Sequence, residues 1–182
     1  MATTWTSIRI AQVIGLGGAA WLSGNISSLT LITIPTLLNS HTQSQTQPKP
    51  LTPHTLAQQW RHTYELGKSQ NRPISAMIAS SFAFLAFKAR TAGGPRSILA
   101  LYGLAALLTV GIAPFTVLVM RGTNERLISL SEGTGRGIGK VGSEQEQEEE
   151  VRGLLERWGR LNGVRGLLPL FGGVVGVFAV LA

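Results

Sequence analysis

The chain has 182 residues, a formal net charge of +7 and no cysteine. That is one domain's worth of chain, and without thiols it cannot form disulfides, thiolate nucleophiles, Cys-ligated zinc or iron–sulfur clusters. Aspartate is absent too, and every acid is glutamate, so Ser-His-Asp triads, Asp–Asp dyads and EF-hand loops are excluded.

Only 14% of the residues are charged, and mean hydropathy is +0.21. The positive charge is not a nucleic-acid footprint. Arg9, Lys88, Arg90, Arg96 and Arg121 sit beside apolar runs, which is the flank pattern of membrane spans rather than a basic stripe on a folded surface.

The apolar-and-small stretch from Ile10 to Leu38 exceeds the roughly 20 residues a spanning helix needs. Its apolar character continues well past Ala19-Ala20, which favours a retained span over a cleaved signal peptide. Pro35 is expected to end or kink the helix near its far end. Gly15-Leu16-Gly17-Gly18-Ala19-Ala20 matches a dinucleotide-binding fingerprint, but no acid follows until Glu65, so the ribose partner is missing. These small residues are read as a helix-packing face. Asn25 lies inside the span, where it either faces a pocket or bonds a neighbouring helix. Asn25-Ile26-Ser27 is also a glycosylation sequon, expected to be unmodified there.

A polar loop from Ser40 to Pro53 follows. Thr52-Pro53 then supplies an N-cap and a proline at the first helical position. The helix from Pro53 to Ser69 carries Leu56, Trp60, Tyr64 and Gly67 along one side, with Gln58, His62, Glu65 and Ser69 as a second stripe. It is too polar to span, which predicts an interfacial helix. Arg72-Pro73 opens a short second span, Ile74 to Phe87, and a turn at Gly93-Gly94-Pro95 leads to a third, Ile98 to Met120, with Pro114 inside it.

A polar extension from Arg121 to Leu130 contains Asn124. Glycines alternate through the linker over 132–142, with no G-K-[ST] to make it a phosphate loop. Ser143-Glu144-Gln145-Glu146 reads as a capping box. The following amphipathic helix runs directly into the last apolar segment. Across that junction Trp158, Asn162, Arg165 and Pro169 share a face at i, i+4, i+7 and i+11. The stripe is either an interfacial anchor or the polar mouth of a membrane pocket.

The expected fold is all-α: a four-helix transmembrane bundle with spans near 10–34, 73–89, 97–120 and 164–182. Two further amphipathic helices, near 53–69 and 143–163, complete a single multi-pass membrane domain. An even number of spans puts both amphipathic helices and Asn124 on one side of the membrane. Twelve of the 16 Lys and Arg residues fall on that side, which the positive-inside rule assigns to the cytoplasm.

The three histidines are His41, His54 and His62. None lies on a later span, so a haem ligated from two spans is excluded, and no clear third metal ligand accompanies His54 and His62. No metal or cofactor site is expected. If the two amphipathic helices meet, His62 could act as a base, with Tyr64 as the alternative. Asn162 and Arg165 could stabilise an oxyanion, and Trp60, Tyr64 and Trp158 could wall a flat apolar cavity.

Four stretches carry a family resemblance. They are a Gly/Ala-rich first span ending in Ile34-Pro35-Thr36-Leu37-Leu38, then Gln59-Trp60-Arg61-His62-Thr63-Tyr64-Glu65-Leu66-Gly67-Lys68, then Ala113-Pro114-Phe115-Thr116 running into Thr123-Asn124, and Trp158 through Leu170. Over nearly its whole length the chain resembles the anthrone oxygenase family, small membrane proteins of fungal polyketide pathways. The resemblance implies oxidation of a lipophilic aromatic polyketide, an anthrone such as emodin anthrone, to its anthraquinone. Molecular oxygen is the implied co-substrate, without flavin, haem or metal. It marks Trp60, Tyr64, Gly67, Asn124, Trp158, Asn162 and Arg165 as family-like positions, and Asn25 is added as a candidate substrate contact. A non-enzymatic membrane scaffold or lipophilic-molecule carrier is the alternative.

Overall fold

The computed structural model describes residues 2–44, 51–133 and 144–182. The helices are α1 (Ala2–Ser28), continued through a π-helical turn (Leu29–Thr33) into α2 (Ile34–Ser44), then α3 (Pro53–Thr91), α4 (Arg96–Val110), α5 (Ile112–Leu118), α6 (Arg121–Ser131) and α7 (Glu144–Leu181). There is no strand among the described residues, so the all-α expectation holds. Residues 134–142 of the expected linker and Ser143 of the expected capping box lie outside the described residues.

The prolines explain where the helices depart from expectation. Pro35 has no N–H for the Leu31 carbonyl, and its ring crowds that carbonyl. The chain relieves both problems by widening one turn, so that the Ile34 N–H bonds back to Leu29, and the helix then continues to Ser44. The expected loop after Ser40 therefore begins later. Pro73 does not open a new helix. The expected interfacial helix and second span are one 39-residue helix, α3, because packing on both neighbours outweighs the single lost backbone bond. In the third apolar segment, Gly111 and Pro114 divide α4 from α5. The Gly111 N–H closes α4 onto Leu107, and the Gly111 carbonyl accepts from Phe115.

α1 packs on α3 and α7, and α4 packs on the same two helices, closing a four-helix ring. Among the described residues, three helical stretches are long and apolar enough to cross a membrane: Trp5–Ser40, Arg96–Leu118 and Gln145–Leu181. Their outward residues are apolar as well, among them Trp5, Val13, Leu31, Leu107, Leu118, Phe171 and Phe178. Such an exterior suits lipid, not water.

At 1.5 Å per residue, α3 and α7 are each roughly 57 Å long, nearly twice the ~30 Å hydrocarbon thickness. Each therefore serves two cores. In one, Leu22, Ile26, Ile78, Phe82, Tyr102 and Ala105 fill the apolar bundle. In the other, Ile34, Leu56, Trp60, Met120, Leu127, Leu155 and Trp158 form a head where α6 packs against α3 and α7. Ion pairs outside the bundle brace the head. Arg61 meets Glu132 at 2.8 Å. Arg126 chelates Glu150 at 2.6 and 2.9 Å, and these bonds push its guanidinium pKa upward.

The glycines of the apparent nucleotide fingerprint are packing sites. A Cβ on Gly18 would lie 2.6 Å from Cγ1 of the buried Ile78, and one on Gly15 would lie 2.8 Å from Phe82. On α7, Gly176 presses on the same Phe82 ring, and Gly173 meets Ala19. Gly17 faces open space, which provides a matched control. Thermal unfolding in detergent should show Gly18→Leu less stable than Gly17→Leu by about 1–3 kcal/mol, the usual cost of overpacking.

Candidate functional site

A cavity lies where the two cores meet. It encloses about 700 Å³ of empty space, a figure that includes its open mouth. Ile26 and Leu29 come from the end of α1 and its π turn. Tyr64, Gly67, Lys68, Asn71, Arg72 and Ser75 come from α3, Ile112, Ala113, Thr116 and Val117 from α5, and Trp158 and Arg165 from α7. Most of the wall is apolar, and its polar groups converge from three helices.

Arg165 is the principal charge of this wall. It is only 9% exposed and makes no ion pair among the described residues. One Nη donates to Asn162 Oδ1, the other to Thr116 Oγ1 at 3.3 Å. Its Nε has no partner among the described residues. Asn162 is completely buried and in turn donates to the Ile26 carbonyl at 2.8 Å and to Thr30 Oγ1 at 2.9 Å. It thus locks α7 onto the π turn, and close contacts of Gly159, Gly163 and Gly166 with Ile34, Thr30 and Ser27 allow the approach. Asn162 spends its polar atoms on this scaffold and aims Arg165 at the cavity.

The aromatic wall is built the same way. Trp60 stacks on Tyr64 with centroids 5.1 Å apart and meets Trp158 edge-on at 5.7 Å. The Trp158 indole N–H donates to Asn124 Oδ1 at 2.9 Å. Asn124 is buried on α6 and acts on the cavity through Trp158. Trp60 backs Tyr64, while its own Nε1 is buried without a partner. Lys68 lies over the Tyr64 ring at 5.6 Å and pairs with Glu65 at 3.1 Å. Asn25 does not line the cavity; its amide donates to Asn71 Oδ1 at 2.7 Å.

His62 is placed elsewhere. It shares the exposed face of α3 with Gln58, Glu65 and Ser69 and is not among the lining residues. The reason is helical: His62 lies about 200° around the axis from the inward Trp60, whereas Tyr64 and Gly67 return to the inward side. No cluster of three or more His or Glu side chains able to hold a metal occurs among the described residues.

A family model for anthrone oxygenases matches residues 60–175, which span the aromatic wall, α5, Asn124 and the Asn162–Arg165 pair. The chain belongs to the anthrone oxygenase family. An anthrone oxygenase of Aspergillus fumigatus is 36% identical over 94% of this chain and 93% of its own length. One from Paecilomyces divaricatus is 32% identical, covering 93% of this chain and 94% of its own length. A noranthrone monooxygenase of Aspergillus flavus is 29% identical over 88% of this chain and 69% of its own length. No solved structure matches the chain.

In this anthrone oxygenase family member, the residues that sequence reading missed are Asn71, Ser75 and Thr116. The first two continue the Tyr64–Gly67 face at i+7 and i+11 from Tyr64, a periodicity visible only when α3 is carried through Pro73. Thr116 also donates to the Ile112 carbonyl at 2.7 Å, on the turn that lacks the Pro114 N–H donor. Asn124→Ala should lower stability by about 1–3 kcal/mol, because it strands the buried Trp158 N–H. In a Trp158→Phe background most of that loss should vanish, which a double-mutant cycle in detergent would measure.

Proposed function

We propose that the protein oxidises a polyketide anthrone to the anthraquinone with molecular oxygen, in the cavity between α1, α3, α5 and α7. The observation that carries this reading is the buried Arg165 guanidinium. It lacks a counter-ion among the described residues and lines an apolar, aromatic-walled cavity. A desolvated cation with an open donor is suited to an anion that develops during reaction. Family membership and the names of its relatives point to the same chemistry.

The reaction is balanced as anthrone plus O₂ giving anthraquinone plus water. Removal of one C10 proton converts the anthrone to its enolate, whose negative charge resides largely on the C9 oxygen. In this proposal Arg165 donates to that oxygen, held in place by Asn162 and Thr116. The enolate carbon supplies the electrons that reduce oxygen to a C10 hydroperoxide. Loss of the second C10 proton then breaks the O–O bond, releases water and leaves the C10 carbonyl. The electrons come from the substrate, so the proposal invokes no flavin, haem or metal.

Tyr64, which lines the cavity, is proposed as the base. The other titratable side chains of the lining are Lys68, Arg72 and Arg165, and Lys68 is paired with Glu65. Trp60, Trp158 and Asn124 fix the aromatic wall, and Asn25 reaches the cavity through Asn71. His62 is not included, because it is exposed on the opposite face of α3.

We also propose a multi-pass arrangement of four spans, the fourth being the C-terminal half of α3, packed between α1 and α4. The head faces the cytoplasm in this arrangement. An anthrone dissolved in the bilayer would then enter laterally, at the depth where the apolar core gives way to the head.

Metal-depleted protein in detergent should oxidise emodin anthrone faster than spontaneous air oxidation does. Failure to accelerate it would refute the activity. Arg165→Met and Tyr64→Phe should each lower the rate by about 10²-fold or more, as expected for loss of an oxyanion donor or a base. His62→Ala should stay within about threefold of wild type; a 10²-fold loss would return the base to His62.

A further inference from the structure

Asn71 is buried where α3 faces both α1 and the cavity. Its carbonyl oxygen accepts from Asn25 at 2.7 Å. In this arrangement Oδ1 is turned to α1, and the NH₂ group is the end left over. That NH₂ has no acceptor among the described residues. Asn71 lines the cavity, so an acceptor on a bound ligand can reach this donor.

The adjoining surface has a shape that suits a flat ligand. Gly67 lies between Tyr64 and Asn71 on the same face of α3. It leaves a notch between their side chains, spaced by seven residues or roughly 10 Å along the axis. That span is comparable with the long axis of three fused six-membered rings. A Cβ at Gly67 would meet Leu29 Cδ1 at 3.4 Å and Asn71 Nδ2 at 3.9 Å, so a side chain there would begin to fill the notch.

We infer that Asn71, oriented by Asn25, is a substrate-binding donor that recognises a ring hydroxyl oxygen of the anthrone, and that Gly67 is the notch across which the rings lie. This rests on the proposed oxidation and deepens it. Arg165 takes the C9 oxygen on which the reaction depends. Asn71 takes an oxygen that only hydroxylated anthrones carry. Asn25 is a positioning residue: without it the Asn71 amide can rotate out of the geometry in which its NH₂ group meets that oxygen.

The test compares emodin anthrone with unsubstituted anthrone, which has the C9 carbonyl but no ring hydroxyls. Asn71→Ala should raise KM for emodin anthrone and lower kcat/KM about 10- to 100-fold, the scale of one lost hydrogen bond to a buried partner. Its kcat/KM for unsubstituted anthrone should stay within about threefold of wild type. Asn25→Ala should show the same substrate-selective pattern, and Gly67→Val should impair both substrates. Equal loss on both substrates in Asn71→Ala and in the milder Asn71→Ser would make Asn71 structural and overturn the assignment. So would wild-type kinetics on both. If wild-type protein accelerates neither substrate, the oxidation itself is refuted, a different failure from either of these.

Discussion

The organising constraint of this molecule is a guanidinium buried without a counter-ion among the described residues. Taking Arg165 out of water costs several kcal/mol unless its donors are satisfied and its position is fixed. The fold meets part of that requirement with neutral acceptors, Asn162 one turn back on α7 and Thr116 on α5, and leaves Nε open. Asn162 is itself satisfied by the Ile26 carbonyl and Thr30, at the widened turn where Pro35 disturbs the first helix. The π turn, the glycine face of α7 and the proline-broken α4–α5 segment thus belong to one arrangement. Each brings a neutral acceptor or a close backbone to the same charge.

The length of the two long helices gives that charge its setting. α3 and α7 pass from the apolar bundle into the head without interruption, so residues near their midpoints see hydrocarbon on one side and a packed aromatic cluster on the other. Tyr64, Gly67 and Asn71 on α3, with Trp158 and Arg165 on α7, occupy that junction. Under the proposed function, a lipophilic, weakly acidic substrate concentrated by the bilayer would meet the buried Arg165 at this depth. Under the same proposal, the largely apolar wall would strengthen an interaction between Arg165 and a developing enolate.

Much of this was legible in the chain. The lack of Cys and Asp, the flanking basic residues and the long apolar runs led directly to an all-helical membrane protein. The stripe through Trp158, Asn162 and Arg165 carried the helix phase needed to place all three inward. What was not legible followed from proline and from partner choice. Reading Pro73 as a helix start hid Asn71, although it lies on the Tyr64 face. No sequence pattern could show that Asn162 and Asn124 would spend their amides on Ile26, Thr30 and Trp158, because those partners are supplied by other helices. His62 drew attention as a titratable side chain beside two aromatics, but its helix phase, two residues from Trp60, turns it outward.

The central claim is that Arg165 favours the ionised form of a bound anthrone. The most direct measurement is the absorption spectrum of anthrone mixed with purified protein at neutral pH under strictly anaerobic conditions, where oxidation cannot proceed. Wild-type protein should produce the red-shifted enolate band, and Arg165→Met should leave the bound anthrone in its keto form. An unshifted spectrum with wild-type protein, or an equal enolate band in both proteins, would contradict the account.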